Sequence, residues 1–250
     1  MPIDSARMQS MEHRACTRPV VNAIDSAHMQ SMGQHACARP VVNVVDLQTG
    51  NIGSVLKILE RVGASPRCAR KPSELNLSVP SVLPGVGNFG HAASELERSG
   101  MRPVLEEARM RGMPVLGICL GAQLMCRTSE EAPGRGLGWF QTAVKRFPKA
   151  AADGTPIRVP NMGWMAIRVA DGALPWVQPE GRMYFAHSCF IDPDQVGPAA
   201  AMLSVYRGTR FAALLREGSV IGAQFHPEKS HRHGMAFLRG WLTWAAGAHG

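Results

Sequence analysis

Residues 114–123, Pro-Val-Leu-Gly-Ile-Cys-Leu-Gly-Ala-Gln, constrain the fold more than any other stretch of the chain. A short apolar run bounded by a turn signal reads as a strand buried on both faces, the kind found in the middle of a parallel sheet. Gly117 and Gly121 stand two residues either side of Cys119. That spacing suits a sharp strand-to-helix turn in which a side chain at either glycine would collide with packed backbone. Such a turn exposes the central sulfur at the carboxyl edge of the sheet. The helix that follows lowers the thiol pKa with its N-terminus and offers backbone N–H groups to an oxyanion. The plainer alternative is a buried structural cysteine, since free cysteine packs readily in cores.

The rest of the chain is consistent with such a sheet. Val41–Val45 is a β-branched run, and Ile52–Val62 repeats apolar residues at helical spacing through Ile52, Val55, Leu56 and Leu59. Ser81–Leu83 predicts a short strand ended by Pro84-Gly85, and Leu96–Arg111 a helix stopped by Gly112. Strand–helix alternation of this kind predicts parallel strands covered by helices. Further on, short strands are expected at Ile157–Val159, Ala166–Val169 and Met183–Ala186. Phe211–Arg216 and Val220–Phe225 flank Glu217-Gly218 as a hairpin. A closing helix would bury Met235, Leu238, Trp241, Leu242 and Ala245. The pattern is one α/β domain with a mixed sheet.

Residues 1–38 stand apart. Ile3–Asn22 and Ile24–Asn43 match at 15 of 20 positions with an offset of 21 residues. Two copies are too few for a stacked repeat array. The second copy runs through Val41–Val45 into a loop and helix, so it supplies the first strand. The first copy has no slot in the sheet and is expected to be a disordered, dispensable extension. The domain proper is residues 39–250.

Charge and composition exclude more than they select. Lys and Arg number 27 and Asp and Glu 19, a net charge of +8. The basic residues fall in small groups such as Arg67, Arg70 and Lys71, without aromatic interleaving, which argues against nucleic acid. No apolar stretch is long enough for a membrane helix, and no secretory signal is evident. Six cysteines without a C-x-x-C pair are expected to be reduced thiols in the cytoplasm. His226, Glu228, His231 and His233 lie close together, but their spacing is not that of metal ligands, and no metal or other cofactor is expected.

Two further segments bear on the chemistry of Cys119. Gly222-Ala223-Gln224-Phe225-His226-Pro227-Glu228 follows a strand end, where α/β proteins place their sites. His226 moves protons near neutral pH, and Glu228 can hold its tautomer across the stiff Pro227. The competing reading is a surface His-Pro turn. Leu83-Pro84-Gly85-Val86-Gly87-Asn88-Phe89-Gly90 ends another strand in a glycine-rich loop. It lacks the Lys-Ser/Thr of a phosphate loop, so a second wall of a thiol site, lending N–H groups to an oxyanion hole, fits better.

Together, P-G-V-G-N-F, L-G-I-C-L-G-A-Q and Q-F-H-P-E-K-S resemble the class I (triad) glutamine amidotransferases. G-L-G-W at 136–139, V-P-N-M-G-W at 159–164, Y-F-A-H-S at 184–188 and G-N-I-G-S-V at 50–55 resemble the branch that serves imidazole glycerol phosphate synthase. The resemblance spans about residues 41–243. It implies a three-layer α/β fold, with a central, mostly parallel mixed sheet and helices on both faces. It also implies glutamine hydrolysis by a Cys119–His226–Glu228 triad, releasing ammonia for histidine biosynthesis. Val86, Gly87 and Leu120 would form the oxyanion hole. Gly85, Gln123, His187, Ser188 and Cys189 would bind glutamine. Asn51, Tyr184 and Lys229 would meet a partner, a (β/α)8 cyclase subunit with which the chain forms a heterodimer. The alternatives are a paralogue feeding ammonia to another pathway, and a free-standing thiol hydrolase or inactive binding protein on the same fold. Three positions depart from the family pattern: Gln48 replaces a glycine, Met165 an asparagine and Cys189 a tyrosine.

Overall fold

The computed structural model describes residues 39–169, 174, 176–177 and 180–247; the first copy of the duplication falls outside these described residues. The first half alternates as its sequence predicts. Strand β1 (Val41–Val45) leads to α1 (Ile52–Arg61) and β2 (Ser65–Ala69), then β3 (Ser81–Gly85), α2 (Phe89–Arg98) and α3 (Met101–Met110). Strand β4 (Val115–Cys119) turns directly into α4 (Leu120–Leu124). The second half holds β5 (Cys126–Ser129), β6 (Phe140–Arg146), β7 (Asn161–Val169), β8 (Glu180–His187) and β9 (Cys189–Ile191). After the single turn of α5 (Pro193–Val196) come β10 (Ala200–Tyr206), β11 (Thr209–Glu217), β12 (Val220–Ala223) and the closing helix α6 (His231–Gly247).

Nine strands form the main sheet in the order β2-β1-β3-β4-β12-β11-β10-β7-β8. The strands from β2 to β12 are parallel, and those from β12 to β8 pair antiparallel. Every residue of β3, β4 and β12 is buried, as expected of strands covered on both faces. Alternate residues feed two cores. Val42 and Val44 pack on one face with Val55 and Leu59 of α1 and Phe237, Leu238 and Trp241 of α6. Val45 and Leu83 pack on the other with Phe89 and Leu96 of α2 and Met101 and Leu105 of α3. This is the three-layer α/β arrangement expected from the sequence. Pro66 is tolerated in β2 because, among the described residues, that strand is an edge and pairs on one side alone.

Four details differ from the sequence-based expectations. Leu96–Arg111 is not one helix: Gly100 adopts φ +72° and breaks it into α2 and α3. Ile157–Val159 is not a strand, because it is bracketed by Pro156 and Pro160, neither of which has an N–H to donate to a ladder. The mixed sheet is not alone, since β5, β6 and β9 form a second, three-stranded sheet. Its Cys126, Val144, Cys189 and Ile191 join the same core as α2 and α3. Met235 is half-buried, and the α6 stripe runs through Phe237 instead.

Candidate active site

The elbow is held by backbone contact. A Cβ added at Gly121 would stand 1.8 Å from the Leu83 carbonyl oxygen, and one at Gly117 would stand 2.8 Å from the Ala122 nitrogen. Glycine alone allows β3, β4 and α4 to approach so closely. Between them Cys119 is forced to φ 52°, ψ −106°, a strained conformation for a residue with a side chain. The residue is 5% exposed, and its thiol donates to the Ala186 carbonyl at 3.7 Å.

Parallel pairing of β12 with β4 aligns Ala223 with Ile118, so both strands end at the same edge of the sheet. The turn after β12 carries His226 and Glu228. His226 Nδ1 meets Glu228 Oε1 at 2.7 Å, both side chains being buried. The backbone of this turn is pinned on two sides. The His226 N–H donates to the Tyr184 carbonyl at 2.8 Å. The Ser230 hydroxyl donates to the His226 carbonyl at 2.7 Å and accepts from the Tyr184 N–H at 2.9 Å. Gly234 seals the turn from behind, where a Cβ would stand 1.9 Å from the Pro227 carbonyl oxygen.

Burial pulls the His226 imidazolium pKa down. Hydrogen bonding and charge from Cys119 and Glu228 outweigh that effect and carry it up to about 10. The Nε2 atom is buried without a hydrogen bond of regular geometry, yet the Cys119 thiol is close enough to act strongly on it. Cys119, His226 and Glu228 therefore come together from strand ends more than 100 residues apart. Two other thiols are held protonated by burial, Cys189 with its pKa raised to about 11 and Cys126 higher still.

A cavity of about 310 Å³ opens beside the sulfur, lined by Val86, Gly87, Cys119, Leu120, Gln123, Glu131, Pro160, Ala186, His187, Ser188 and Cys189. The predicted pocket residues Gln123, His187, Ser188 and Cys189 thus share one wall system. Gly85 lies against Leu120, where an added Cβ would stand 3.1 Å from that residue's Cβ. Burial lowers the His187 pKa to about 4, so its ring is neutral. A larger cavity of about 820 Å³ lies against β7, β8 and β10. It has no nucleophile with a base: the hydroxyl of Ser204 is spent on the Ala166 carbonyl at 2.7 Å.

Three positions were not singled out from the sequence. Glu131 lines the cavity, and its carboxylate accepts from the Phe89 N–H at 2.7 Å. Gln224 is 1% exposed and donates to the Cys119 sulfur at 3.8 Å. Asn161 meets His187 Nε2 at 3.0 Å. Gln224 stands in the motif beside His226, whereas Glu131 follows a polar stretch that marks no element.

The oxyanion loop differs from expectation in one respect. The Val86 N–H donates to the Thr49 carbonyl at 2.6 Å and is spent there, while its side chain borders the cavity. The predicted partner residues lie at two places. Asn51 caps α1 by accepting from the Ser54 N–H at 3.3 Å, beside Asp46 and Gln48. The Lys229 ammonium sits 5.9 Å over the Tyr184 ring, whose edge meets Trp164. Gln48, where the family pattern has glycine, adopts φ +57°. Among the described residues no three His, Cys, Asp or Glu side chains cluster as metal ligands, and no helix is long and apolar enough to cross a membrane.

The sequence profile described as glutamine amidotransferase class-I matches residues 44–243. The chain belongs to the class I glutamine amidotransferase family. This amidotransferase is 38% identical over 201 residues to imidazole glycerol phosphate synthase subunit HisH of Thermosynechococcus vestitus, covering 79% of this chain and 94% of that one. It is 35% identical to imidazole glycerol phosphate synthase subunit HisH 2 of Pseudomonas aeruginosa, covering 79% and 96%. Among solved structures, a glutamine amidotransferase superimposes with a TM-score of 0.63 at 20% identity, covering 82% of this amidotransferase and 98% of that chain. The last likeness is one of fold.

Proposed function

We propose that this amidotransferase is the glutaminase subunit of imidazole glycerol phosphate synthase. It hydrolyses glutamine to glutamate and ammonia and passes the ammonia to a (β/α)8 cyclase partner for histidine biosynthesis. The observation that carries the reading is the buried Cys119 with the His226–Glu228 pair at its side and an amino-acid-sized cavity in front of it.

His226 holds the proton given up by Cys119, as its raised pKa allows, and the sulfur attacks the side-chain amide carbon of glutamine. The tetrahedral oxyanion is held by the Leu120 N–H and by an N–H of the Val86–Gly87 loop. His226 returns the proton to the departing nitrogen, which leaves as ammonia, and a glutamyl thioester remains. Water, deprotonated by His226, attacks the thioester and frees glutamate and the thiol. Glu228 holds the ring by Nδ1 and offsets its charge when protonated. Gly85, Gln123, His187, Ser188 and Cys189 shape the pocket, and the Glu131 carboxylate suits the α-ammonium group of the substrate.

Because the Val86 N–H is bonded to Thr49, the oxyanion hole is incomplete until that peptide turns over. A missing oxyanion donor is worth about 2.7–4 kcal/mol, enough to keep the isolated chain slow. Asn51, Tyr184 and Lys229 form the contact through which the partner favours the turned state. The test is glutamine hydrolysis by the purified chain, with and without the cyclase and its nucleotide ligand. Slow turnover alone and fast turnover in the liganded complex are expected, and full activity of the lone chain would refute the regulation. Cys119→Ser abolishes hydrolysis and labelling by a glutamine-analogue electrophile. His226→Ala costs about 10²–10⁴ in rate, more than Glu228→Gln. Labelling that survives the Cys119 change overturns the nucleophile.

A further inference from the structure

A line of buried polar groups runs from one wall of the cavity to the nucleophile, and its polarity is set at the far end. Asn161 Nδ2 donates to His187 Nε2 at 3.0 Å, so Nε2 is the acceptor and Nδ1 of the neutral ring carries the hydrogen. That Nδ1–H donates to the Cys189 carbonyl at 2.7 Å. The same carbonyl accepts from Gln123 Nε2 at 3.2 Å, filling its second lone pair. The other hydrogen of Gln123 Nε2 goes to Gln224 Oε1 at 3.1 Å. Gln224 therefore has its oxygen turned toward Gln123 and its nitrogen toward the sulfur, 3.8 Å away. Asn161, Gln123, His187 and Gln224 are all at least nine-tenths buried. Turning over Gln123 would set acceptor against acceptor, and turning over Gln224 would set donor against donor, a costly arrangement for buried groups.

We propose that Gln224 is part of the hydrolytic machinery: its amide N–H donates to the Cys119 thiolate, and the relay from Asn161 through His187, the Cys189 carbonyl and Gln123 keeps that donor on the sulfur. The proposal rests on Cys119 being the glutaminase nucleophile. A donor at the sulfur favours the anion that attacks, while an acceptor there opposes it. The Cys119 proton still goes to His226, and Gln224 keeps its hydrogens throughout. Gln123, His187 and Cys189 also line the cavity, so the groups that meet the substrate are the groups that orient the donor.

The test is the pH profile of Cys119 alkylation by iodoacetamide in the full chain, located by peptide mapping and measured beside glutaminase kcat/KM in the complex. Gln224→Glu is nearly isosteric and still accepts from Gln123, but it turns a carboxylate oxygen to the sulfur. Its alkylation midpoint should rise by about one pH unit or more. Its kcat/KM should fall about tenfold or more. Gln224→Met fills the space without a donor and should move the midpoint in the same direction by less. A wild-type midpoint in either variant, with a cooperative melting transition as evidence of folding, overturns the proposal. Wild-type alkylation at Cys119 that glutamine blocks supports the nucleophile independently. If that control fails, the reading of the site falls; if it succeeds and the variants do not shift, only the role of Gln224 falls.

Discussion

The loops that follow β3 and β4 leave neighbouring parallel strands at the same edge of the sheet, Gly85 aligned with Cys119, yet they are built in opposite ways. The β4 loop is locked. Gly117, Gly121 and their neighbours are buried, with backbone packed where any side chain would go. The β3 loop is open. Val86 is 40% exposed, and a Cβ on Gly87 would meet nothing within 4 Å. On the reading proposed above, the nucleophile is set in place when the chain folds, whereas the oxyanion donor has open space around it in which to turn. In that proposal, catalytic competence is divided between a fixed part, which belongs to the core, and a turning part, which belongs to the surface and to whatever docks there.

The strongest way to break this contrast is to put the same methyl group on each side of it. Gly121→Ala drives a carbon into the Leu83 carbonyl and should cost more than about 4 kcal/mol, leaving little folded protein. Gly87→Ala meets only the strain of its φ of +104° and should cost about 1–2 kcal/mol. Denaturant unfolding of the two variants measures the difference, and equal losses would dissolve the contrast. Gly85→Ala tests the turning part. It stiffens the peptide that must turn and presses on Leu120, so partner-stimulated hydrolysis should fall about 10²–10³-fold. Stimulation by the liganded cyclase that survives this change would mean the peptide need not turn.

The fixed part extends to the cavity wall at His187, and pH probes it. The unfolded chain takes up a proton at this histidine near pH 6.5, whereas the folded chain resists until about pH 4. Stability should therefore fall as pH drops through that window, by on the order of 3 kcal/mol from this group. The raised His226 contributes no slope there, since it is protonated in both states below pH 6.5. His187→Gln should flatten the acid slope in urea melts at stepped pH, and an unchanged slope would assign it elsewhere. The smallest effect is at Gln48. Replacing it with glycine relieves a left-handed φ worth about 1–2 kcal/mol and loses about 0.5–1 kcal/mol to unfolded-state freedom. Gln48→Gly should gain about 0.5 kcal/mol, read as a small rise in Tm, and a fall would show that its side chain contributes to the loop.

How much of this was legible depends on how local each signal is. The elbow and the His226 turn could be read because glycine spacing and a His-Pro-Glu triplet are constraints within ten residues. The β-branched run of β1 and the hairpin of β11 and β12 were readable for the same reason. Strands β5 and β9 were not: Cys126–Ser129 is half polar and Cys189–Ile191 is three residues long, so neither has a period. Both exist because the core around α2 and α3 has to be closed on its far side. The break at Gly100 hid inside a helical pattern that continues on both sides of it. The side-chain hydrogen bonds of Gln123 and Gln224 link residues 66 to 105 positions apart and leave no trace in any window of sequence.

The position of β12 has a consequence for the newly made chain. It is parallel to β4 on one side and antiparallel to β11 on the other, so it completes the middle of the sheet although it is the last strand made. A ribosome that has delivered Cys119 must add more than 100 residues before His226 exists, and the histidine reaches the sulfur only when β12 fills the gap. Until then the cysteine has no base and its elbow has no neighbour on that side. If Cys119 and His226 act as proposed, a truncated or misassembled chain carries an idle thiol, and reactivity arrives together with the completed sheet. Long-range pairing of this kind slows folding. Here the delay also times the enzyme's chemistry, which cannot begin before the molecule is finished.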